Sequence, residues 1–94
     1  MPERHFDIQW PNGEQQSYYS PSSTISNYLI AGQTYPLKKF IHQAEIGLNE
    51  ASERVRAKYG YACSSAMDQL YQLKKTAAQF DQVLDALVVV KRIY

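Results

Sequence analysis

Between Pro36 and Gly60, Leu37, Phe40, Ile41, Ala44, Leu48, Ala51 and Val55 recur at intervals of three and four. On a helical wheel they form one stripe about 100° wide, which predicts a single long amphipathic helix. A rod of that kind must bury its stripe, so the rest of the chain has to supply a cover. With 94 residues there is material for one domain, spanning residues 1–94, around one modest core. The polar flank carries Glu50, Arg54 and Lys58 in successive i, i+4 steps, a pattern that contributes a few tenths of a kcal/mol per pair. Ile46 falls opposite the stripe and reads either as a lone surface isoleucine or as a partner contact.

A second stripe, Cys63, Ala66, Met67, Leu70, Leu73, Ala77 and Phe80, predicts a helix starting near Ser64. Gly60 suits the left-handed residue that ends one helix, and Ser64 or Ser65 with Asp68 suits the cap of the next. Two striped rods joined by so short a corner pack as an antiparallel pair. At the N-terminus, residues 5–10 alternate Phe6, Ile8, Trp10 against His5, Asp7, Gln9, a half-buried strand. Pro11, Asn12 and Gly13 fit a three-residue hairpin loop, because a two-residue turn would need an amide hydrogen from Pro11. That loop sets Phe6 opposite Tyr18 and Ile8 opposite Gln16. Between 20 and 35, Ile25, Tyr28 and Leu29 share one helical side, which predicts a short helix capped by Ser23 or Thr24 and stopped by Gly32.

The β-branched run LVVVKRI from 87 reads as a third strand, with two equally apolar faces that leave its neighbour open. The expected fold is therefore α+β: a small three-stranded sheet, made of an N-terminal hairpin plus a C-terminal strand, packed on an antiparallel helix pair with a short extra helix.

The chemistry is sparse. A formal charge of +1 gives no field that would draw in nucleic acid, so a weak nucleic-acid module is the remotest reading. The longest aliphatic run, residues 86–90, falls far short of the roughly 18 residues that span a bilayer. With one cysteine and a charged start, MPERHFDIQW, the expected compartment is the cytoplasm. No phosphate loop or nucleophile elbow occurs, and His42 with Glu45 is too small a set for a metal, so neither cofactor nor metal is expected. Cys63 precedes a helix start, where a thiol pKa falls, which leaves a small cysteine-dependent enzyme as an alternative. Neither His5 nor His42 is placed beside it as a base, and the plainer reading is a small hydrophobe plugging the corner.

Eight tyrosines against three phenylalanines suit a core edge or a contact surface, since a ring with a hydroxyl tip packs like a hydrophobe and also suits a binding hot spot, and Tyr59 reads equally as core. The binding candidates are Tyr19, Tyr28, Tyr35, Arg54, Tyr59 and Tyr61. Dimerisation through Ile46 or a strand edge is a further expectation for so small a domain.

The runs YSPSSTISNYLIAGQTYPLKKF at 19–40 and ASERVRAKYGYACSSA at 51–66 resemble the small bacterial nitrogen-starvation-response proteins, encoded beside a nitrilase and a radical-SAM protein. Val83 and Leu84 stand where that family's pattern leads one to expect a polar loop. The resemblance implies a pathway without assigned catalytic residues. It fits an accessory protein that binds a pathway enzyme or a small metabolite and does no chemistry itself.

Overall fold

The computed structural model describes residues 3–60 and 64–94. The N-terminal alternation forms β1 (Arg4–Gln9), and β2 (Gln15–Ser20) returns antiparallel to it. The Gly13 amide donates to the Trp10 carbonyl and the Trp10 amide to the Glu14 carbonyl, both at 2.8 Å, with Gly13 at φ +90°. This is the three-residue loop with a bulge glycine, and Phe6 indeed faces Tyr18 and Ile8 faces Gln16.

The segment after β2 departs from expectation. It holds a five-residue 3-10 helix, Ser23–Asn27, whose N-cap is Ser22 without a side-chain capping bond. Ser23 and Thr24, expected to cap it, are instead its first two residues, and the Thr24 hydroxyl donates to the Gly47 carbonyl at 3.0 Å, while that of Ser20 donates to the Ser22 carbonyl at 2.7 Å. Gly32 does not stop a helix but sits in the turn before another strand, β3 (Thr34–Pro36). Proline restricts the residue before it to extended conformations, so Pro36 both straightens Tyr35 and caps the following helix.

The sheet therefore has four strands among the described residues instead of three, all antiparallel, in the order β2-β1-β4-β3, where β4 spans Leu87–Ile93. β4 lies beside β1, which settles the neighbour that its apolar faces left open. A bulge interrupts this pairing: Ile8 faces Val90 and Asp7 faces Arg92, so Lys91 has no opposite number. Val88 and Val90 are buried before the bulge and Ile93 packs against the core after it. The strand thus changes phase midway.

Helices α1 (Leu37–Tyr59) and α2 (Ser64–Ala78) cover one face of this sheet. Gly60 ends α1 at φ +84°, with its amide donating to the Arg56 carbonyl at 2.7 Å, the conformation that favours glycine. Glu45 in the first half of α1 meets Lys74 in the second half of α2 at 3.2 Å, so the helices run antiparallel. Ser64, Ser65 and Asp68 were expected to cap α2; the two serine side chains lie outside what is described. Phe40, Ala44, Leu48, Ala51 and Val55 are buried as the stripe requires, whereas Leu37 and Ile41 are half-buried. Gly47 is buried as well, because a Cβ there would stand 2.8 Å from Ile25 Cδ1 and 3.2 Å from Ile25 Cα. The 3-10 helix crosses α1 at that point. On α2, Ala66, Leu70, Leu73 and Ala77 face the core, but Met67 is exposed and Phe80 packs from just beyond the helix end.

Candidate functional site

The sheet face turned away from the helices gathers the most concentrated group of polar and aromatic side chains. His5 and Asp7 reach it from β1, Ser17 and Tyr19 from β2, and Arg92 and Tyr94 from the end of β4. Asp7 is the hub. Its Oδ1 accepts from the Ser17 hydroxyl at 2.5 Å and from the Tyr94 hydroxyl at 3.3 Å, while Oδ2 accepts from Arg92 Nε at 2.6 Å. The Arg92 guanidinium lies 4.5 Å from the centre of the Tyr94 ring, and the His5 ring stacks on Tyr94 and tilts against Tyr19, each at 5.6 Å.

These donors stabilise the charged carboxylate. The Ser17 hydroxyl first, then Arg92, holds the Asp7 pKa below its ordinary value of 3.8, and Asp7 in turn raises that of Arg92. A carboxylate this acidic, with its lone pairs engaged by three donors, is a weak base at neutral pH. The arrangement is suited to fixing an arginine and the Tyr94 ring in place. Because the folded pKa is depressed, the stabilisation from Asp7 is complete above the ordinary carboxylate pKa and disappears as pH falls through the lower folded value. The difference in Tm between the wild type and Asp7→Asn is therefore expected to be steady from pH 7 to 5 and to shrink below pH 3.8. A gap that is unchanged down to pH 2 rules this out.

The residues singled out by composition do not converge. Tyr19 belongs to the outer sheet face, and its amide donates to Gln69 Oε1 of α2 at 3.0 Å, which covers an open amide on the β2 edge. Tyr28 donates its hydroxyl to Glu50, so Glu50 pairs with a tyrosine and not with the expected ladder; that carboxylate holds the Tyr28 pKa above 10.0. Tyr35 packs against the core with its hydroxyl accepting from the Ile30 amide at 3.0 Å. Arg54 is exposed on α1, and Tyr59 is exposed at its end with Lys58 over the ring. Tyr61 and Cys63 lie outside the described residues. Ile46 is half-buried.

Asp7, Ser17, Arg92 and Tyr94 are not among the binding candidates legible in the sequence. Alternation did put His5 and Asp7 on the outer face, but no spacing rule reveals the bulge that brings Arg92 and Tyr94 to the same side.

Among the described residues no group of His, Cys, Asp and Glu is placed to hold a metal ion, and no helix is long and apolar enough to cross a membrane. No curated protein and no solved structure matches the chain. The family model described as nitrogen starvation-induced protein NitG matches residues 5–93, nearly the whole length, and agrees with the resemblance carried by Tyr19–Phe40 and Ala51–Ala66. The chain is a member of the NitG family of nitrogen starvation-induced proteins.

Proposed function

We propose that this NitG-family protein is a non-catalytic accessory protein of the nitrogen-starvation response, and that it binds a partner protein through the outer face of its sheet. The observation that carries this reading is the Asp7 hub. It pins Arg92, which is 67% exposed, and the Tyr94 ring, on which His5 stacks, on a solvent-facing surface, so little side-chain freedom is lost on contact. Arginine and tyrosine are the side chains most enriched among binding hot spots. A guanidinium fixed in this way favours a partner that presents a carboxylate. The surface is the outer side of a sheet and not a cleft, while cavities of about 330 and 240 Å3 lie among the helix ends, which favours a protein over a metabolite at this face.

The test is capture from nitrogen-starved cells followed by titration of the purified partner. Arg92→Ala is expected to raise Kd roughly 10- to 100-fold. Arg54→Ala, on the exposed side of α1, should bind as the wild type does. Equal affinity for the Arg92 variant, or no captured protein at all, defeats the proposal.

A further inference from the structure

The start of α1, the end of α2 and the connection between α2 and β4 enclose an apolar groove. Its larger part, about 330 Å3, is lined by residues that include Leu37, Lys38, Phe80, Leu84 and Asp85. A further 240 Å3 continues past Leu37 and Lys38 toward Ile41. Leu84 stands on the rim, 91% exposed, next to a groove that has room for it. The backbone keeps it out. The Val83 amide is tied to the Phe80 carbonyl at 3.0 Å, and Asp85 adopts φ +54°, a left-handed conformation disfavoured for residues with a Cβ. A leucine presented to water by a strained turn beside an open apolar groove forms a knob and a hole on one surface.

The charges match the same pairing. Lys38 and Asp81 line the hole and Asp85 adjoins the knob, and among the described residues none of the three takes part in an ion pair. A two-fold rotation that seats each knob in the opposite hole would also carry Asp85, next to the knob, toward the opposite Lys38. We propose that two copies of this chain associate through this face, with Leu84 of each entering the groove of the other and Asp85 pairing with the second copy's Lys38. This surface is separate from the outer sheet face, so dimer formation and partner capture can fail independently.

Sedimentation equilibrium on the full chain is expected to give twice the 10.8 kDa chain mass at micromolar concentration. Leu84→Asp should raise the dimer dissociation constant by at least about 100-fold, since each dimer carries the change twice, with the far-ultraviolet spectrum unaltered. Lys38→Glu should weaken association, and adding Asp85→Lys to it should restore association. A wild type that is monomeric up to about millimolar concentration overturns the proposal. So does a Leu84→Asp dimer of unchanged affinity, a charge swap that fails to rescue, or a monomer whose groove instead takes up a fluorescent fatty-acid analogue.

Discussion

Trp10→Ala is expected to cost about 3–5 kcal/mol, enough to remove a large share of the roughly 5–15 kcal/mol that holds a domain of this kind folded. Trp10 is only 2% exposed and sits where three elements meet. Its indole stacks on Phe80 at 6.0 Å and meets the rings of Phe40 at 5.9 Å and Tyr18 at 6.3 Å edge-on, tying the hairpin to the start of α1 and the region beyond α2. Truncation to a methyl leaves a cavity bordered by all three rings. One detail separates size from polarity: Trp10 Nε1 is buried without a hydrogen-bond partner. Trp10→Phe loses volume but also removes that orphaned donor, whose desolvation costs about 1–3 kcal/mol, so it should be much milder than alanine. Urea denaturation of the two variants measures this. A Trp10→Ala midpoint close to the wild type's would mean that the indole does not join the layers.

Val90→Asp is expected to prevent folding, while Val89→Asp, one residue earlier, should leave a folded protein. Val90 is fully buried against the helices and Val89 is half-buried on the opposite face. A carboxylate at 90 forfeits the apolar burial and faces an effective desolvation penalty of several kcal/mol with no cation built to receive it. At 89 it remains near water, and the cost is about 1 kcal/mol of strand preference. Circular dichroism and soluble yield distinguish the two. Equal behaviour would mean that β4 has no distinct inner and outer face, and reversed behaviour that the two faces are exchanged.

That contrast also marks how far the sequence could be read. Alternation in residues 5–10 and the Pro-Asn-Gly loop were enough to specify the hairpin down to its partners, because a period of two and a loop length leave one register. The α1 stripe and the Gly60 corner were legible for the same reason: each is a local rule with no rival nearby. β4 was not legible in its facing, since Val88 and Val90 obey one phase and Ile93 the other, and a rule that assumes constant alternation finds both sides apolar. β3 escaped because three residues make no period, and Pro36 drew attention as a helix start and not as a strand end. The 3-10 helix was overestimated because the Thr24 hydroxyl, read as a cap, serves a long-range partner, the Gly47 carbonyl, which no local pattern reveals. The outer-face cluster was half-readable for the same cause as β4, with His5, Asp7 and Tyr19 placed by the hairpin and Arg92 and Tyr94 placed by the bulge.

The strand order carries a kinetic corollary. β1 and β4 are central neighbours, yet Asp7 and Arg92 are 85 positions apart, so the middle of the sheet closes only after a very long loop has been ordered. During synthesis the hairpin emerges early with one flank bare, and both helices must wait for the strand that completes their floor. Slow, late and cooperative acquisition of structure is the behaviour to look for in a refolding trace, and any chaperone dependence should be greatest in chains stalled before residue 87.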